Sequence, residues 1–252
     1  MIEVLILSLV QGITEFIPVS SSSHLILISD FVDFDSQSLS IDVSLHIGSF
    51  LAVVSYFYKD ILNFLENRDL FIKILISSLP VILAGFVLIQ TDIIDDLRSV
   101  KIIGWTTIIF GVLLYISDRF KLDKEISNNF NLKSALIIGL FQVLSLVPGV
   151  SRSGITITAA RLLNYKRLDA AKISFLLSIP TLASVSFFGI FKLTSSENLS
   201  FSVLNLISII LSFLFSYLTI KYFIRYIKRF SLIVFIIYRI ILGLIILSFI
   251  YL

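Results

Sequence analysis

The 252-residue chain contains no cysteine, which excludes a disulfide framework and any thiolate-held metal site. Charge is scarce as well: Asp, Glu, Lys and Arg make up 15% of the residues, where a soluble domain carries about 25%. Histidine is rarer still, with only His24 and His46. Apolar residues fill the space, at 57% of the chain and a mean hydropathy of +1.02. This is the composition of an integral membrane protein. The apolar runs are too many and too long for a removable signal peptide, and no small-residue cleavage site follows the first. The pI near 9.0 raises nucleic acid as a partner, but the placement of the basic residues gives a plainer account.

A full membrane crossing needs about 20 mostly apolar residues. Six segments approach or meet this, at residues 41–58, 70–91, 100–118, 170–192, 201–224 and 231–252, and each is hydrophobic all round. Four more, at 2–17, 21–32, 133–147 and 154–164, are too short or too polar. These pair around "PVSSSSH" (18–24) and "PGVSRSG" (148–154), which reads as two re-entrant helical hairpins. Non-helical backbone at membrane depth is tolerated only inside protein or beside a wet cavity. One set of span ends carries Lys59, Arg68, Lys73, Arg119, Lys121, Lys124, Lys133, Lys166, Arg167, Lys172, Lys221, Arg225, Lys228 and Arg229; the other carries Arg98, Lys101 and Lys192. The positive-inside rule assigns the first set to the cytoplasm and both termini to the outside. The basic pI is therefore a topology signal, and nucleic acid is not an expected partner.

Shifted by 131 positions, the chain partly superimposes on itself: Gln11 falls on Gln142, Val19 on Val150, Ser20 on Ser151 and Ser22 on Ser153. "AVVSYF" from Ala52 likewise falls on "ASVSFF" from Ala183. The expected architecture is all-α: one polytopic domain over 1–252, with about six transmembrane helices and two re-entrant hairpins. Its repeats cover about 1–125 and about 126–252. Three crossings per repeat make the two inverted in topology, an arrangement that places a binding site near the midplane.

Both motifs read as turns opening into short helices, since proline and serine suit helix starts. Their N-termini offer free N–H groups to an anion such as phosphate. Arg152 adds a permanent charge shaped for phosphate oxygens, costly to bury without a partner. Glu15 lies four residues after Gln11, on one helical face. Its carboxylate could hold a divalent cation or orient His24. His24 follows Ser21 and Ser20 at i+3 and i+4, and could act as base, nucleophile or acid. A serine could attack phosphorus after losing its proton to His24. For any one serine, packing between helices is an equal account. His46 and Arg239 read as structural, Arg239 by capping carbonyls of re-entrant backbone. The constellation points to phosphoryl transfer or hydrolysis on a lipid phosphate.

"QGITEFIPVSSSSH" and "PGVSRSG" resemble the two signature motifs of the undecaprenyl-diphosphate phosphatase family, also called bacitracin resistance protein. The first follows an E/Q-x-x-x-E pattern and P-V-S-S-x-G-H; "IYRIILG" near the C-terminus is similar too. The resemblance implies hydrolysis of undecaprenyl diphosphate to undecaprenyl phosphate and inorganic phosphate, which recycles the cell-wall lipid carrier. It implies a divalent cation, Mg²⁺ or Ca²⁺, held in part by Glu15, and a multi-pass protein of the bacterial plasma membrane whose site opens outward. Glu15, Ser21, His24 and Arg152 are then the expected catalytic residues. Ser20, Ser22, Ser151, Ser153, Gly154 and Gln11 are the expected substrate-binding residues. Partners would be the polyprenyl diphosphate lipid and membrane lipids, with a homodimer left open.

Two positions bear on what the resemblance implies: Gln11, where many members carry a second glutamate, and Ser23. Gln11 offers one charge fewer for a metal than a glutamate would. Ser23 replaces the glycine before the histidine, so positive φ there would strain it. The rival reading is a transporter or flippase of a polyprenyl phosphate lipid, which needs no nucleophile. The type-2 phosphatidic acid phosphatases place a histidine after a Ser-Arg pair, and no histidine follows Ser151-Arg152.

Overall fold

The computed structural model describes residues 1–32, 34, 38–63, 68–91, 93, 97–120, 123–194 and 202–251. Lys121, counted above among the basic span ends, lies outside them. Backbone in lipid must satisfy its own hydrogen bonds, and the elements are accordingly helical. The single bridge Lys124–Tyr165 is the one strand-like pairing among the described residues.

In chain order the helices are α1 (Ile2–Thr14), α2 (Ser21–Phe31), α3 (Leu39–Tyr56), α4 (Tyr58–Asn63), α5 (Arg68–Ile89) and α6 (Val100–Asp118). They continue with α7 (Ile126–Asn129), α8 (Leu132–Val143), α9 (Arg152–Leu162), α10 (Arg167–Thr194), α11 (Val203–Ile227) and α12 (Ile233–Tyr251). A 3-10 turn, Leu144–Leu146, follows α8. Among the described residues six helices, α3, α5, α6, α10, α11 and α12, are long and apolar enough to cross a membrane. They match the six expected segments. Polar caps set several starts: Ser38 accepts from Ile41 N–H at 3.4 Å, Asn131 from Ser134 N–H at 2.9 Å, and Ser202 with Asn205 forms a capping box before α11.

Lipid supplies little hydrophobic drive between helices, so close packing and polar contacts hold them together. At the α3–α11 seam Ser49 Oγ lies 3.2 Å from Ser212 Oγ and 3.0 Å from Ser216 Oγ, and Asn205 donates to Ser44 Oγ at 3.1 Å. Gly48 makes that approach feasible, because a Cβ there would sit 2.4 Å from the Ile209 carbonyl oxygen. Helix α1 packs on α11 and α8 on α5, while α3 with α10 and α6 with α12 form the remaining long contacts.

An aromatic chain fills the centre: Phe16 meets Phe175 edge-on at 5.6 Å, and Phe175 continues to Phe57, Phe223 and, through it, Phe235. At the far end of α6, Asp118 accepts from Arg167 at 2.6 Å and from Leu232 N–H at 3.1 Å. Arg161 donates to the Phe120 and Tyr165 carbonyls at 2.7 and 3.0 Å. This knot ties α6, α9, α10 and α12 together.

Candidate functional site

The two motifs fold alike. Ser20 (φ 79°) precedes α2 and Ser151 (φ 70°) precedes α9, each with left-handed backbone at the N-cap. The strain expected at Ser23 is therefore absent. Ser23 sits inside the first turn of α2, fully buried, and the unusual backbone falls three residues earlier. Gly149 also has positive φ (93°), and a Cβ there would reach within 1.9 Å of Thr106 Oγ1.

Glu15, at the end of α1 and 8% exposed, is the hub. Arg152, the first residue of α9, donates to its Oε1 at 2.9 Å and to the Ser174 carbonyl of α10 at 3.1 Å. Ser21, the first residue of α2, donates to Oε2 at 2.6 Å, and Gln11 Nε2 donates to the same oxygen at 3.1 Å. Arg152 is thus already paired by the protein. A phosphate entering here would share or displace Glu15.

His24 does not face Ser21. Its Nδ1 lies 2.6 Å from the Ser20 carbonyl oxygen and its Nε2 2.6 Å from the Tyr238 hydroxyl, with the two rings parallel at 5.8 Å. A carbonyl only accepts, so Nδ1 carries a proton, and whenever the ring is neutral Tyr238 donates to the bare Nε2. The expected Ser21-to-His24 contact is replaced by Ser21-to-Glu15. The i+3 and i+4 spacing was satisfied by a backbone carbonyl. Ser22 is exposed and Ser21 and His24 are half-buried, so the accessible side of the site is the start of α2.

The remaining expected residues serve the frame. Ser20 Oγ lies within 3.2 Å of Ser22 Oγ and 3.0 Å of Ser23 Oγ. Ser151 Oγ caps α9 by accepting from Gly154 N–H at 3.1 Å, and Ser153 Oγ donates to the Ile17 carbonyl at 2.8 Å, joining the second motif to the first. Gly154 makes room: a Cβ there would lie 2.9 Å from an Arg239 nitrogen. Arg239, 1% exposed, donates to the Pro18, Val150 and Gly149 carbonyls at 3.2, 3.0 and 2.7 Å. The carbonyl-capping role expected for it is what the geometry has.

Two residues that the sequence does not assign to the site reach it, one of them His46, which reads from sequence as structural. His46 of α3 lies with Nδ1 3.1 Å from Gln11 Nε2, and Tyr238 of α12 reaches His24. Neither belongs to a local pattern, being 35 and 214 positions from its partner.

No group of three or more His, Cys, Asp or Glu suited to a metal occurs among the described residues. Glu15 is the only carboxylate in the constellation, but Gln11 Oε1 beside it is buried without a partner. With the Ser21 hydroxyl this makes a small set of hard oxygen donors. Such a set fits a cation that also takes oxygens from a phosphate ligand, as Mg²⁺ commonly does, better than a closed protein cage.

The sequence pattern of the family described as bacitracin resistance protein BacA matches residues 4–245. The chain is 52% identical over 251 residues to an undecaprenyl-diphosphatase of Pelagibacter ubique (strain HTCC1062), covering 99% of this chain and 98% of that protein. It is 39% identical over 255 residues to an undecaprenyl-diphosphatase of Jannaschia sp. (strain CCS1), covering 96% of each. It is 40% identical over 250 residues to one of Saccharophagus degradans, covering 94% of this chain and 93% of that protein.

Proposed function

The chain belongs to the bacitracin resistance protein BacA family, and from that premise we infer that it is a membrane-embedded undecaprenyl-diphosphatase. It hydrolyses undecaprenyl diphosphate to undecaprenyl phosphate and inorganic phosphate, which returns the lipid carrier to cell-wall synthesis and opposes bacitracin.

The observation that carries the site assignment is the convergence on Glu15 of Arg152 from α9, Ser21 from α2 and Gln11 from α1. Arg152 and the N-termini of α2 and α9 bind the diphosphate. Helix dipoles and a forked guanidinium both favour such an anion. Ser21 Oγ attacks the terminal phosphorus, and its proton passes to Glu15 Oε2, 2.6 Å away. The bond from that phosphorus to the bridging oxygen breaks, and undecaprenyl phosphate leaves with its negative charge. Water then attacks the phosphoserine, its proton passing through the Tyr238 hydroxyl to His24 Nε2, 2.6 Å away, while Nδ1 is held by the Ser20 carbonyl. The Oγ–P bond breaks, Ser21 recovers its proton from Glu15, and inorganic phosphate leaves. A divalent cation, Mg²⁺ or Ca²⁺, would be held by Glu15, with Gln11 Oε1 as a neutral ligand. Bound there, it would offset charge on the phosphate oxygens.

The two halves form inverted repeats, each opening with a re-entrant hairpin. Two features support this reading. The paired positive-φ serines stand 131 apart, and helix contacts exchange under the same pairing: α1 with α11 becomes α8 with α5, and α3 with α11 becomes α10 with α5. The site then opens to the outer face of the bacterial inner membrane, with both termini on that side.

The test is phosphate release from undecaprenyl diphosphate by the purified protein in detergent, with and without EDTA, beside Arg152→Ala. Release that chelation abolishes and that the variant loses by at least about a hundredfold is expected for a buried charged contact. A folded, metal-loaded protein without release would overturn the enzyme and leave lipid transport.

A further inference from the structure

His46 stands outside both motifs, yet it completes the support of Glu15. Gln11 Nε2 lies 3.1 Å from Glu15 Oε2 and also 3.1 Å from His46 Nδ1. An amide nitrogen carries two protons and accepts nothing. Glu15, facing Arg152 at 2.9 Å, is ionised and takes one of those protons. The other is directed at His46 Nδ1, which must then be bare. His46 is therefore neutral, with its proton on Nε2. The reversed amide would set Gln11 Oε1 against Glu15 Oε2, two acceptors with no proton between them. Asp42, one turn earlier on α3, would be the natural partner of a charged His46, but no hydrogen bond joins the two, and Asp42 Oδ1 is buried without a partner.

We propose that His46 is a positioning residue for diphosphate hydrolysis: its bare Nδ1 fixes the Gln11 amide, and Gln11 fixes the Glu15 carboxylate that receives the Ser21 proton. The same orientation leaves Gln11 Oε1 without a hydrogen-bond partner within the protein. The two histidines of the chain are thereby held in opposite tautomers. His24 Nδ1 must carry a proton to reach the Ser20 carbonyl oxygen at 2.6 Å, while His46 Nδ1 must not.

The inference rests on the diphosphatase reading, and that reading is checked first by release in the wild type and its loss in Arg152→Ala. With both in hand, His46→Leu removes the acceptor, whereas His46→Asn sets an amide oxygen near the Nδ1 position. The Leu variant is expected to lose about ten- to a hundredfold in kcat, the range for a hydrogen bond in a charged network, with KM little changed. The Asn variant should recover most of that loss. In protein labelled with ¹⁵N-histidine, the two neutral rings should show opposite tautomer patterns, and Gln11→Leu should perturb His46 and leave His24 unchanged. This spectrum also decides the matter if His46→Leu unfolds. Wild-type turnover in His46→Leu, equal impairment of the Asn and Leu variants, or a proton on His46 Nδ1 would each overturn the proposal.

Discussion

At the residue scale, the backbone at Ser20 and Ser151 shows how the site is made. Positive φ turns the chain sharply enough that Ser21 and Arg152 each become the first residue of a helix aimed at Glu15. A non-glycine residue in such a sparsely populated region costs about 1–3 kcal/mol. At Ser20 the cost is offset in part by its hydroxyl contacts with Ser22 and Ser23. Ser20→Gly should therefore leave thermal unfolding in detergent nearly unchanged, trading those contacts for relief of strain. Ser20→Val, branched at Cβ, should destabilise by about 2–3 kcal/mol. Ser23→Gly, placed in a helix interior, should cost about 1 kcal/mol. A stable Ser20→Val protein would show that the left-handed turn is not needed. The strain was misplaced by sequence reasoning because a turn's sign of φ follows from where the helix begins, and four consecutive serines do not mark that point.

At the element scale, the long apolar helices were legible because a hydrophobic length requirement is a property of composition. Their ends were less so. α10 begins at Arg167 rather than near residue 170, since its polar first turn is held by Asp118 and by Asp169, which accepts from Ile126 N–H at 3.0 Å. Packing partners were not legible, because a helix that is apolar all round does not advertise which face meets protein. The α3–α11 seam is a case: it is made by Gly48, Ser49, Ser212 and Ser216, small residues scattered in two greasy segments. Gly48→Val should force the helices apart at the Ile209 carbonyl and lower stability by about 2–3 kcal/mol, typical of overpacking. Ser212→Ala, which removes a hydroxyl bonded to the Leu45 carbonyl at 2.7 Å, should cost about 0.6 kcal/mol. Thermal unfolding of the two variants side by side checks the ranking. A larger loss for Ser212→Ala would mean that hydrogen bonding, rather than close approach, holds the seam. His46 projects from this same α3, so Gly48→Val should also lower turnover in the surviving folded fraction.

At the scale of the whole molecule, the proposed arrangement in the membrane rests on parity and charge. If each hairpin returns to the side it enters from, the six spanning helices alternate, and Arg98 between α5 and α6 shares a side with both termini. Arg229, between α11 and α12, lies on the other. Arg98, Lys101 and Lys192 are few beside the basic residues clustered at the opposite ends, and the proposed topology therefore has Arg98 outside. The absence of cysteine makes this directly measurable, since any introduced thiol is the only one in the chain. In intact cells a membrane-impermeant maleimide should label Arg98→Cys and leave Arg229→Cys unlabelled until the membrane is opened. The reverse pattern would turn the protein over and expose its site to the cytoplasm. Labelling of both positions from outside would break the alternation of spans, and with it the proposed inverted relation between the half that carries Glu15 and the half that carries Arg152.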